Sequence, residues 1–254
     1  MAPHMAERLR AAGIHLLISC GVASVSAALV FMVLYPAPLA RACGVTDIFL
    51  LLLVVDISLG PLITLFVFNR AKPELKRDLA IVGIIQLAAL LYGLHTMYIA
   101  RPVYVVFGVD RFDLVFANDM DDKRLATATL PAFKQVPALR PQTIAAVLPS
   151  DPAERSALTL QSVSGGGDLH QSPKFYRPIA AAKDSIIAHA QALEGLKQFN
   201  PANPALVDEL AATYKARKVE VGFLPLKGKA EDQTVLVDRS NGAVLEIVRL
   251  RPWL

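Results

Sequence analysis

Residues 50–68 read LLLLVVDISLGPLITLFVF, nineteen positions with one ionisable side chain, Asp56, and one helix breaker, Pro61. A run of that length and apolarity belongs in lipid, where about 20 mainly apolar residues make a spanning helix. Two further stretches meet the same requirement, so three transmembrane helices are expected over 13–35, 47–68 and 79–100. The first is longer than a signal-peptide core, lacks a clear A-x-A site and is followed by two more spans. It therefore reads as a retained helix. These segments explain a hydrophobic share of 54%, above the roughly 45–50% of an ordinary soluble domain.

The apolar excess stops near residue 100, and the remainder has the composition and size of one soluble domain. The expected organisation is a short segment over 1–12, a three-helix membrane region over 13–100 and an outer domain over 101–254. Arg8 and Arg10 precede the first span. Arg70, Lys72, Lys76 and Arg77 separate the second and third, whereas the connection after the first carries only Arg41. By the positive-inside rule the amino terminus and the 69–78 loop face the cytoplasm. The outer domain then faces the opposite side, which in a Gram-negative inner membrane is the periplasm. The net charge of +4 follows this topology, and no Lys/Arg run with interleaved aromatics marks a nucleic-acid surface. Cys20 and Cys43 would lie about 30 Å apart along a helix and read as free thiols.

Asp56 lies about 14 Å into its span, near the bilayer midplane. A charge there costs roughly 2.5–3.5 kcal/mol and should face protein. Ser24 or Ser26 on the first span and Tyr92, with His95, on the third lie at similar depth, so an intramembrane polar seam or partner contact is expected at Asp56, Ser24 and Tyr92. Gly60 and Pro61 should bend the helix one turn beyond Asp56, freeing carbonyls for a hydroxyl such as Thr64 or for a partner. A seam of this kind serves helix packing or partner contact. One carboxylate on three spans argues against transport.

The outer domain starts with almost no linker. Runs 103–107 and 112–116 flank GVDR as a hairpin, and 143–149 reads as a strand. Asp151 and Pro152 open a helix. SGGGDLHQSP is a loop whose glycines lack the Lys-Ser or Lys-Thr of a phosphate cradle, and its Asp168 and His170 have no nucleophile placed by motif. Helices are expected over about 178–195 and 204–217, the second capped by Asn203. SNG between apolar runs closes a final hairpin. The expected fold is an α+β domain, an antiparallel sheet with helices on one face. No nucleophile, Cys/His or metal-ligand pattern is present, so neither an enzyme nor a cofactor or metal is expected.

HLLIS opens the first span and YPAPL closes it; D-x-x-x-GPL-x-TL-x-VF crosses the second. LK-x-DL precedes the third, QLAALLYG lies within it, and ARPVYVVFGVDRF follows. As a set, these segments resemble the type IV pilin accessory proteins of the TfpX/TfpZ kind, also called FimB-type fimbrial assembly proteins. The resemblance covers residues 14 to about 116, with a looser G-x-VL-x-I…RPW agreement at the end. It puts Asp56, Gly60 and Pro61 on patterned positions of the second span. Tyr35, Pro36 and Pro38 are patterned at the exit of the first, and Arg101, Pro102 and Tyr104 at the exit of the third. The resemblance implies a non-catalytic inner-membrane factor that binds or stabilises a type IV pilin subunit and modulates its assembly into surface pili. Its partners would be that pilin, inner-membrane pilus assembly proteins and the bilayer. It also implies a pilin helix carrying a Glu inside the bilayer, a second polar group needing shelter. The alternative is a membrane-anchored periplasmic sensor signalling through the third helix, although the short cytoplasmic segments leave no room for an output domain.

Overall fold

The computed structural model describes residues 3–253. Met1, Ala2 and Leu254, the extreme positions of the expected amino-terminal segment and outer domain, lie outside the described residues. The chain divides into two compact units. One holds the residues up to Ala37 with Val45–Ala100, and the other Pro38–Gly44 with the residues from Arg101 onward.

The first unit is built from three long helices. α1 (Pro3–Ala28) runs on as a π-helical stretch, Leu29–Leu34, and after the single turn of α2 (Leu39–Ala42) come α3 (Val45–Val67) and α4 (Leu75–Ile99). Each long helix has the length and apolarity to cross a membrane. α4 begins four residues before the expected 79, so Lys76 and Arg77 sit on its first turn. α3 stays helical through Pro61 and buries Phe49, Leu53, Gly60 and Thr64. That spacing puts all four on one helix face, which packs against α1 and α4. Phe31 meets Phe49 edge-on at 5.3 Å. An exposed Glu7–Arg70 pair at 3.0 Å brings the amino-terminal segment beside the connection between α3 and α4. Being exposed, it adds at most about 1 kcal/mol.

The second unit runs β1 (Pro102–Phe107), β2 (Phe112–Phe116), α5 (Asp122–Ala126), β3 (Gln142–Ala146), α6 (Pro152–Val163), β4 (Tyr176–Pro178), α7 (Lys183–His189), β5 (Gln191–Ala192), α8 (Leu196–Phe199), α9 (Pro204–Ala216), β6 (Val221–Lys227), β7 (Gln233–Asp238) and β8 (Val244–Val248). The strands form one sheet in the order β4-β3-β1-β2-β6-β7-β8, with β5 pairing β6.

The expected purely antiparallel sheet is corrected to a mixed one, because β1–β3 and β2–β6 pair in parallel. The β1–β2 hairpin lies mid-sheet, and the strands that flank it return through helical crossovers. Helices also cover both faces. Val105 and Phe107 point into a cluster with Ile186 of α7, while Tyr104 and Val106 join Leu125 of α5 and Leu158 of α6. β1 is buried at every position, as its continuous apolar run requires. The single helix expected over 178–195 is broken, since Gln191 and Ala192 pair with β6 instead. Asn203 precedes α9 without a side-chain cap bond. The SNG hairpin forms as expected, with Gly242 at φ +73°.

Pro38–Gly44 is part of this unit's core. Leu39 and Ala42 pack with Val105, Phe112, Leu224 and Val235. The Ala42 carbonyl accepts from the Lys229 and Ala230 amides, both at 2.9 Å. A Cβ on Gly228 would lie 2.1 Å from Glu231 O in its own turn and 2.9 Å from that carbonyl oxygen, so glycine there serves both the turn and the approach of the loop. Burial pushes the Cys43 thiol up to about 12, against a smaller pull from Lys229.

Candidate functional site

The helix unit holds a groove of about 260 Å³ between α1 and α4, with α3 as its floor. Ile18 and Val22 of α1, Leu53 of α3, and Leu87 and Leu90 of α4 make it apolar, while His15, Ser19, Asp56 and Gln86 supply its polar side chains. Asp56 is half-buried, and among the described residues its carboxyl makes no hydrogen bond or ion pair.

Gln86 explains the local sequence of α3. Its Nε2 donates to the Asp56 carbonyl at 3.1 Å. That carbonyl lies next to Ile57, whose usual helical donor is missing because Pro61 has no N–H. A Cβ on Gly60 would sit 2.3 Å from Gln86 Nε2, so Gly60 leaves the space that the amide fills. Gln86 Oε1 is buried and has no partner among the described residues. His15 Nδ1 lies 2.6 Å from Thr64 Oγ1, tying α1 to α3 one turn beyond Gly60.

This grouping differs from the expected seam. Ser24 is exposed, and its hydroxyl donates to Cys20 O in its own helix at 2.8 Å. Tyr92 is 74% exposed, and His95 is also exposed. Neither Ser24 nor Tyr92 is brought to Asp56. Asp56, Gly60 and Pro61 do lie together around Gln86. His15 and Ser19 were not expected there, and Gln86, which the sequence reading places nearer the cytoplasm than Asp56, lies level with it. One signal was available: Asp56 lies eleven residues before the end of α3 and Gln86 eleven after the start of α4. In antiparallel helices joined by a short connection, equal counts mean equal depth.

The patterned positions that follow the first and third long helices hold structure together. Tyr35 is buried and its hydroxyl donates to Met97 O at 2.9 Å, linking the ends of the first and third long helices. Pro36 and Pro38 shape the turn between Tyr35 and α2. Arg101 is buried and donates to Pro137 O at 2.8 Å, while its own carbonyl accepts from Ala117 N. Pro102 pairs with Phe116 across the β1–β2 hairpin. Tyr104 is fully buried against Phe133 and Tyr176, and its hydroxyl reaches Gln135 O. On the sheet-containing unit, a polar concavity of about 270 Å³ contains Asp113, Asp119, His170, Lys227 and Lys229. Among the described residues, no group of three His, Cys, Asp or Glu side chains could hold a metal ion.

The family of fimbrial assembly protein FimB matches residues 3–44 of this chain. A fimbrial assembly protein of serogroup I from Dichelobacter nodosus is 30% identical over 233 residues, covering 90% of both chains. The serogroup E1 protein of the same organism is 31% identical over 235 residues, again covering 90% of each. That of serogroups C1 and C2 is 38% identical over 111 residues, 42% of this chain and 84% of the relative. No solved structure matches the chain.

Proposed function

This chain belongs to the fimbrial assembly protein family, and from that premise we propose that it is an inner-membrane accessory factor of type IV pilus biogenesis. It binds or stabilises a pilin subunit and modulates its assembly into surface pili, without catalysis of its own. The observation that carries this reading is similarity to fimbrial assembly proteins along 90% of the chain, through both units. The three apolar helices supply the anchor. The Glu7–Arg70 pair brings the two basic segments to one end of the bundle. The positive-inside rule assigns that end to the cytoplasm and the sheet-containing unit to the periplasm.

The test compares surface pilin with total cellular pilin in a deletion strain and in the same strain complemented. A fall in surface pilin at constant total assigns the protein to assembly. A fall in both assigns it to protection of the subunit. If neither changes, the accessory reading fails and the sensor reading replaces it.

A further inference from the structure

The helix unit is incomplete at one place. α1 and α4 both rest on α3, yet between them runs a half-open groove with apolar walls and a bare carboxyl at mid-depth. Gly83 on the α4 wall has nothing within 4 Å of where a Cβ would stand, so a neighbour can approach the backbone closely. In hydrocarbon, an unsatisfied polar group costs several kcal/mol and calls for a partner.

We propose that this groove seats a fourth membrane-spanning helix, that of the pilus subunit, whose side chain at the depth of Asp56 donates a hydrogen bond to the Asp56 carboxyl. The proposal rests on the accessory reading above and specifies the contact. Apolar walls with one polar point of attachment fit a helix, whose backbone bonds are all internal. A lipid tail would fill the walls and leave the carboxyl bare. A second copy of this chain is a poor match. The hydroxyls of Ser24 and Ser58 are already donated to their own helices, at Cys20 O and Val54 O. Tyr92 is exposed, but lies six residues from Gln86 along α4. That is about 9 Å away from the level of Asp56 for a copy inserted the same way round.

The test places a photoreactive benzophenone amino acid, one position at a time, in the full chain within cells making the pilin. Ile18 and Leu87 report on the groove walls. Leu51 and Ile84, both 66% exposed and outside the groove, serve as controls. The expected result is an adduct recognised by a pilin antibody at Ile18 and Leu87, at least fivefold above the controls and lost in Asp56→Leu. Equal yields at all four positions, or an adduct with a second copy at the groove, would overturn the seat. Adducts with pilin only from positions on the sheet-containing unit, such as Leu160, would also overturn it while leaving the accessory function standing. Failure of the accessory function itself shows in the deletion strain as unchanged pilin.

Discussion

In the sheet-containing unit Tyr104 and Tyr176 are fully buried, and each hydroxyl reaches a carbonyl, Gln135 O and His170 O. Burial pushes the Tyr104 hydroxyl up to about 12 and that of Tyr176 further, so both stay protonated donors. In the helix unit Asp56 is half-buried, and its carboxyl reaches nothing among the described residues. α4 buries only Leu90 and Met97 among its described residues, whereas β1 is buried throughout. One unit thus closes on itself, and even takes in the loop between α1 and α3 to do so. The other stops short of closure at a defined groove. The contrast separates the part that must fold from the part that is available to be completed by another helix.

The largest expected effect comes from opening the closed unit. Leu39→Ala removes a side chain that is 3% exposed from the sheet's core. It should destabilise the sheet-containing unit by roughly 2–5 kcal/mol. Trp253 is the sole tryptophan, and its Nε1 donates to Asp232 Oδ2, so its fluorescence in detergent reports this unfolding. An unchanged transition would mean that the loop is not part of the core. Cys43 gives a second view of the same closure. The thiolate is the reactive form, and with the pKa raised to about 12 only roughly one molecule in ten thousand carries it at pH 8. Maleimide should label Cys43 slowly until denaturant is added; labelling of the native protein as fast as of the denatured protein would contradict the burial.

Smaller effects should separate the two units further. Gly60→Ala forces the Gln86 amide off the Asp56 carbonyl and should cost the bundle about 1 kcal/mol. If Gln86 is the cause, Gly60→Ala should cost little more once Gln86→Ala is present, a coupling that thermal melts in detergent can measure. Asp238 should give the smallest effect. The hydrogen bond from the Ser240 hydroxyl is the largest cause holding its carboxyl below the usual carboxylate range; burial opposes it, and the Ser240 amide and Asn241 side chain add to the lowering. Its contribution is therefore present above the unfolded carboxylate range and is lost as pH falls through the lower native value. The acid-unfolding midpoint of the sheet-containing unit should rise slightly in Asp238→Asn, and an identical acid profile would show that the turn adds nothing.

Much of the architecture was legible because apolar length and turn chemistry are local. The three helices, the GVDR and SNG hairpins and the Asp151 cap all follow from short stretches. Sheet direction was not legible, because whether β3 joins β1 in parallel depends on where a crossover returns. Nor was the helix broken at Gln191, where pairing to β6 outweighs a helical pattern. At the candidate site Asp56, Gly60 and Pro61 announced themselves as polar or helix-breaking residues in an apolar run. Ser24 and Tyr92 were misplaced because depth was counted from assumed span ends, and a seam also requires side chains to face inward. Counting from the shared connection instead pairs Asp56 with Gln86.

The most direct test of the incomplete bundle is to fill its groove without disturbing its helices. Gly83 and Gly21 both have open space where a side chain would begin, but only Gly83 lines the groove. Surface pili should be counted in cells carrying Gly83→Phe or Gly21→Phe at equal protein levels. The account predicts that Gly83→Phe loses surface pili as the deletion does, while Gly21→Phe keeps them. Normal piliation in Gly83→Phe would contradict it.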